Sequence, residues 1–457
     1  MLRKKRFSAI ILGIVTLLAT VLSAQSAIDA IRIVEGESGF GTRALGMGGA
    51  YTGVANDYSA IYWNPAGLAD MQKSQFFGEV SHLNFNNTAT FTSRVTDNDQ
   101  NYTRLRSLGF AFPLPTVRGS LVLAFGYNRV QDFDQNLLFS GFNRQSNGLT
   151  FNVDDQDFLF DKDVQQTEEI NEDGGLNQWS LGAGIAVSPN FTAGITAMVW
   201  SGNDDYEFSF LQEDKNDVYN QFPADFRSYL LNRTLTADYQ ALGLRLGGMF
   251  HVSNGIKLGG TVELPTTFTI NEKSVQNDVL TFDDGFEDPV DYPANEFEYK
   301  VKTPFKFDAG ASFSNQFITL AGALRYRDWS QTKFKVPSKF LSDPDYVGLL
   351  EENRIIRRDY EATVEYRLGG EIFLSGMNAR LRGGYAVLPS PLKNASSDLD
   401  KTFITGGISF LVDRYVNLDL GYIHGSWKRE TVDEFTPGGT FEDISTNKFF
   451  VGLTYRF

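Results

Sequence analysis

Fourteen segments that alternate apolar and polar residues, joined by connections that are long and short in strict turn, constrain this fold more than any other feature of the sequence. The segments read as strands at 75–85, 102–112, 119–129, 176–187, 191–204, 235–252, 256–270, 296–313, 318–334, 354–374, 379–388, 400–411, 416–428 and 445–457. The long connections are 86–101, 130–175, 205–234, 271–295, 335–353, 389–399 and 429–444. The short ones are 113–118, Ser188-Pro189-Asn190, Ser253-Asn254-Gly255, 314–317, 375–378 and 412–415. A soluble two-sheet sandwich has no reason to sort its loops this way. An all-β transmembrane antiparallel barrel of the bacterial outer membrane does, with an even strand number, long loops outside and tight turns in the periplasm.

The strand faces agree with that reading. In the last strand Phe449, Val451, Leu453, Tyr455 and Phe457 share one face, while Lys448, Thr454 and Arg456 lie on the other. In 354–374 Tyr360, Ala362, Val364, Tyr366, Leu368 and Ile372 oppose Glu361, Thr363, Glu365, Arg367 and Glu371. Lipid outside and a polar lumen inside require such a period of two. The polar face is expected to place Lys300, Lys302, Lys306, Arg325, Arg327, Glu361, Glu365, Arg380 and Arg382 in the lumen. Charge signs alternate between neighbouring strands, which suits cross-strand pairing. An anionic ligand could replace one Glu as the partner of Arg325 or Arg327.

Composition removes most other classes. A net charge of −15 disfavours a nucleic-acid partner, which needs basic surface. The absence of Cys excludes disulfides, thiolate metal sites and cysteine nucleophiles. A mean hydropathy of −0.24 argues against a helical bundle in the membrane. Residues 1–24 read as a secretory signal peptide: Arg3–Arg6, then a short apolar stretch, then small residues before a cleavage point after Ala24. Residues 25–74 are Gly-rich with little strand alternation and read as a separate hatch; residues 75–457 are the barrel.

The hatch carries Gly41-Thr42-Arg43-Ala44-Leu45-Gly46-Met47-Gly48-Gly49-Ala50, then Asn56-Asp57, then Ala60-Ile61-Tyr62-Trp63-Asn64-Pro65-Ala66-Gly67-Leu68. This resembles the N-terminal hatch of the FadL/TodX family of outer-membrane transporters of hydrophobic compounds, whose Asn-Pro-Ala triplet matches Asn64, Pro65 and Ala66. The resemblance continues faintly through Arg327-Asp328-Trp329-Ser330, Leu381-Arg382-Gly383-Gly384-Tyr385 and the terminal Phe457. PorV-like barrels of a secretion apparatus share a similar Tyr-Trp-Asn-Pro-Ala stretch. The resemblance implies a fourteen-stranded barrel with a luminal hatch, passive transport of fatty acids or other hydrocarbons, and lateral exit at a kinked third strand. It implies no enzyme activity, no cofactor and no energy source. The partners expected are a hydrophobic small molecule, outer-membrane lipid and the barrel-insertion machinery, which would read Phe457, and the barrel is expected to act as a monomer. The rival readings are a barrel that holds exported proteins and a phospholipase.

The residues supply candidates for each step. Gly48 and Gly49 allow close backbone approach within the hatch, and Pro65 stiffens the turn that Asn64 opens. Phe208, Phe210, Phe222, Phe226 and Leu230 crowd into one external connection, with Phe226, Tyr229 and Leu230 at helical spacing, either as a self-packed loop core or as a greasy binding surface. Gly126 in the third strand is the candidate kink for a lateral opening. Asp97-Asn-Asp99-Gln-Asn101 imitates the start of a calcium loop without its later Gly and Glu, so no metal is expected. His424 and Ser426 share a strand face and are the only candidates for catalysis as an esterase, with no orienting third group nearby.

Overall fold

The computed structural model describes residues 25–457 apart from Asp154, Asn254 and Ser342. The expected signal peptide lies outside the described residues. The remainder forms a closed barrel of fourteen antiparallel staves. The first six are β1 (Gln75–Phe91), β2 (Arg94–Leu114), β3 (Leu121–Asp132, continued by Gln135–Asn143), β4 (Val164–Ser188), β5 (Phe191–Glu213) and β6 (Phe226–Ser253). Next come β7 (Ile256–Glu263 and Thr267–Phe282), β8 (Asn295–Lys302 and Lys306–Ser314), β9 (Ile318–Asp328 and Lys333–Phe334) and β10 (Ala362–Leu374). The last four are β11 (Ala379–Leu388), β12 (Lys401–Leu411), β13 (Val416–Thr431) and β14 (Thr440–Arg456). Each pairs with its neighbours, and β14 closes on β1 through Arg456↔Gln75 to Phe441↔Thr90.

The outer surface has the anatomy of a membrane span. Leu181, Val199, Leu242, Leu324, Leu368, Ile404 and Val451 point outward and are exposed. Phe191, Phe250, Phe313 and Tyr455 flank the short-turn end. Further along the staves, Trp179, Tyr326, Tyr366, Tyr385 and Tyr422 flank the other. Aromatic girdles of this kind border the apolar band of an outer-membrane barrel. Among the described residues no helix is long and apolar enough to cross a membrane.

The long external connections are largely sheet. The connection 86–101 is a hairpin that turns at Thr92 and Ser93, both with positive φ, as a tight two-residue turn demands. Phe226, Tyr229 and Leu230, placed by the sequence in an external connection at helical spacing, lie on β6, whose 28 residues span roughly 90 Å at about 3.3 Å each. An alternation rule cannot tell where such a strand leaves the membrane. The opposite correction falls on 354–374. Its first residues belong to helix α4 (Pro344–Asp359), and β10 starts only at Ala362.

β7, β8 and β9 are all interrupted at one level, at 264–266, 303–305 and 329–332. Each interruption adds residues that reverse the inward parity. Lys306, Arg325, Arg327, Glu365 and Arg382 therefore point inward and are buried as expected. Lys300 and Lys302, beyond the interruption of β8, are turned outward, and Glu361, on the link between α4 and β10, is exposed, contrary to the expectation from uninterrupted alternation.

Residues 26–71 fill the lumen. Helix α1 (Ala27–Glu35) starts at a capping box made by Ser26 and Asp29. Short helices α2 (Thr42–Gly46) and α3 (Ala60–Trp63) follow, then a 3-10 turn, Pro65–Asp70.

Candidate functional site

The lumen is stacked in three tiers. The lowest is the hatch. The wall makes room for it with glycine. A Cβ at Gly109 or Gly126 would run into Tyr58, at Gly194 into Pro65, at Gly247 into Asn64, at Gly259 into Thr52 and at Gly384 into Gly48. Gly48 and Gly49 themselves have φ of 64° and 71°, a region that L side chains rarely adopt. In the sequence this signal takes the form of glycines at inward parity in nearly every strand. Spread over the whole chain, they make no local motif.

Asn64 is fully buried and ties hatch to wall. Its Nδ2 donates to the carbonyl oxygens of Thr52 at 2.9 Å and Gly248 at 3.2 Å, and its Oδ1 accepts the Ala66 N–H at 3.1 Å. Pro65 sits at the first position of the 3-10 turn, where its missing N–H costs nothing. Around this turn runs an ionic network. Lys306 Nζ reaches Glu37 Oε2 at 2.7 Å, and Arg327 Nη2 reaches the same oxygen at 3.2 Å. Arg325 Nε donates to Asp308 Oδ1 at 2.6 Å, and Arg245 bonds to Glu263 and to the Tyr62 carbonyl. Arg327 thus ties the wall to Glu37 of the hatch, while Arg325 pairs within the wall.

The middle tier is an apolar throat over α1. Phe133, Leu176, Phe268, Tyr299, Phe334 and Ile356 are buried above Ala27 and Ile31. Helix α4 closes one side. Its Glu352 carboxylate accepts the Ala27 N–H at 2.7 Å, and partial burial pushes its pKa above the usual range. Arg32 of α1 lies over the Phe133 ring and is held by Glu172 and Asp204.

The upper tier is the mouth. Phe208, Phe210 and Phe226 are buried there with Phe151, Phe160, Phe282 and Phe435. Phe210 stacks on Phe435 with centroids 4.8 Å apart, and Phe160 meets Phe226 at 4.6 Å. Phe222 is exposed, and Leu230 lies on the strand face opposite Tyr229 and Leu231. Sequence reasoning missed Phe160, Phe282 and Phe435, which come from three other connections.

The third stave is broken, though not at Gly126. That residue pairs with Gly109 and Ser180 in an unbroken ladder, and its missing side chain makes room for Tyr58. The irregularity begins at Val130, with a bulge between Arg129 and Gln131, and continues as the break at Phe133–Asp134. β2 pairs with β3 only through Ser107–Leu114, so the wall parts from Arg106 outward. The hatch enters the gap. Ser38 N and Gly39 N donate to the Val130 carbonyl at 2.9 and 3.0 Å, and buried Arg106 reaches Asp132 at 2.6 Å and the Gly39 carbonyl at 2.7 Å.

With the barrel, hatch and broken third stave in view, comparison with solved structures is decisive for the fold. The chain has the fold of the FadL/TodX barrels. The P. putida toluene transporter TodX matches with a TM-score of 0.58 at 12% identity, covering 92% of this chain and 99% of that one. A Pseudomonas aeruginosa FadL homologue matches at 0.55 and 13%, covering 92% and 98%. The Ralstonia pickettii toluene transporter TbuX matches at 0.52 and 15%, covering 92% and 99%. No protein-family model and no curated protein matches the sequence.

The calcium-loop and esterase candidates lie on strands. Asp97, Asp99 and Asn101 run along β2, with Asp97 bonded to Thr88, so they form no loop. Among the described residues no group of three or more metal-ligating side chains could hold an ion. His424 and Ser426 share the outer face of β13, and the imidazole Nδ1 meets the Asn447 amide at 3.1 Å.

Proposed function

We propose that this barrel passively carries small hydrophobic molecules from the cell surface inward across the outer membrane. The mouth captures them, the throat passes them on, and the gap at Val130 releases them sideways when the hatch segment around Ser38 lets go. The observation that carries this reading is the line of buried apolar side chains that leads from the mouth cluster to Phe133, beside a wall break stoppered by two hatch N–H groups. Solved barrels of the same fold include toluene transporters, which supports a hydrophobic cargo. The electrostatics favour an uncharged hydrocarbon over a fatty acid. Arg32, Arg233, Arg327 and Arg429, basic side chains along the path, are each engaged by a carboxylate.

The absence of Cys makes the test clean. Ser38→Cys with Val130→Cys places a thiol pair at hydrogen-bonded backbone neighbours, within disulfide reach. Uptake of radiolabelled toluene and of a labelled long-chain fatty acid is followed in cells lacking other barrels of this fold. Oxidation should stop toluene uptake, and a reductant should restore it. Transport indifferent to the crosslink sinks the lateral route; no uptake by the parent chain sinks the transport reading and favours a barrel that holds exported proteins.

A further inference from the structure

The interruptions of β7, β8 and β9 leave a pocket of about 340 Å³ in the outer wall. Its lining includes Pro265, Thr303 and Pro304, with Lys302, Lys333 and Arg357 around them. Two prolines in adjacent staves explain the break, because neither can donate to the ladder. The pocket lies just beyond Phe305 and Tyr326, the outward aromatic residues that end the apolar band on β8 and β9, so it faces the headgroup layer of the outer leaflet.

Charge and shape point to an anionic occupant. In a chain of net charge −15, Lys302, Lys333 and Arg357 converge on one recess, and among the described residues none of them has a carboxylate within 4.0 Å. Arg357 is contributed by the last turn of α4, whose neighbours Arg354 and Arg358 are both paired, with Glu351 and Asp359.

We propose that this recess binds a phosphate group of an outer-leaflet glycolipid of the lipid A type, with Lys302, Lys333 and Arg357 neutralising the charge. The cations supply the attraction, and the aromatic residues below fix the depth of the headgroup. The site is separate from the transport path, so it stands or falls independently of the cargo.

The test uses the full chain in detergent micelles and native mass spectrometry. The added probes are bisphosphorylated lipid A, its dephosphorylated form and inorganic phosphate. One phosphorylated lipid should be retained per chain, at least about tenfold better than the dephosphorylated form, as charge-assisted contacts predict. Lys302→Gln combined with Lys333→Gln should lower retention about tenfold, and Arg357→Gln, exposed on helix α4, several-fold. Lys215→Gln, on an exposed turn, is the control and should change nothing. Heat-modifiable migration verifies that each variant is folded, and Arg357→Gln decides the matter if the double variant is not. Equal retention of both lipid forms, undiminished retention by Arg357→Gln, or displacement of lipid by millimolar inorganic phosphate would each overturn the proposal.

Discussion

At hatch height the wall presents glycine and charge to the lumen; at the mouth it presents phenylalanine. In the lower tier backbone meets backbone, as where Gly259 approaches Thr52 and Gly384 approaches Gly48, and Lys306 and Arg327 of the wall pair with Glu37 of the hatch. In the upper tier rings from several connections meet one another, as Phe210 meets Phe435. The two materials respond differently to a guest. A backbone seat held by directional bonds has one arrangement, because each bond is satisfied at one geometry only. A cluster of rings can repack around an intruding hydrocarbon at small cost, since the dispersion attraction given up by one pair of rings is recovered against the guest. On the proposed route the lower tier is the part that holds and the upper tier the part that exchanges.

The most damaging way to break that contrast is to put a side chain into the seat. Gly247→Val would drive its branched Cβ into the Asn64 amide and the Pro65 ring, against hatch atoms that cannot step aside. Overpacking of this kind costs about 3 kcal/mol or more. Folded, heat-modifiable barrel should fall to a small fraction of the parent level. An undiminished folded fraction would mean that the hatch is loosely seated and that the lower tier is no different from the upper.

Much of this contrast lay in the sequence, but in a form that only a closed barrel makes readable. The stave count followed from turns, because Ser188-Pro189-Asn190 and its counterparts are local signals. The inward placement of Lys306, Arg325, Arg327 and Glu365 followed from alternation. Lys300 and Lys302 did not, because Thr303-Pro304-Phe305 reverses the parity between them and Lys306, and a one-residue slip turns every following side chain over. Helix α4 was hidden since its apolar residues, Leu349 and Ile356 among them, are few and its charges many. The mouth was half visible: Phe208, Phe210 and Phe226 stood out, while Phe160 and Phe435 reach the same cluster from connections distant in sequence.

A smaller effect is expected at the mouth. Phe210→Ala removes a buried ring that stacks on Phe435. Such truncations cost about 3–5 kcal/mol in a packed core, but here the loss is confined to the external sheet, above the lipid band that holds the barrel. Folded barrel should reach the membrane at parent abundance, while toluene uptake at low concentration drops about tenfold and external amides near 208–212 exchange faster. If uptake is unchanged while exchange accelerates, the mouth is a self-packed cap and takes no part in capture.

The finest probe is Asn64, where a change in one hydrogen-bonded amide tests whether the hatch is merely seated or also shifts between seated and released states. Asn64→Ala removes two bonds donated to the Thr52 and Gly248 carbonyls and one accepted from Ala66, all of them buried. The hatch keeps its glycine seat and its Glu37 network, so the barrel should fold and migrate as the parent does. The net loss is on the order of 1 kcal/mol, close to a fivefold change in the ratio of seated to released hatch. If release is what admits cargo, uptake of labelled toluene at matched surface abundance should rise several-fold, and the Ser38→Cys, Val130→Cys crosslink should form more slowly because its two ends spend less time together. Pro65→Gly, which loosens the same turn without touching the amide bonds, should move both quantities in the same direction by less. Unchanged uptake together with unchanged crosslinking in both variants would reduce the Asn-Pro-Ala triplet to packing, and the release step would have to be sought at Ser38 and Gly39 instead.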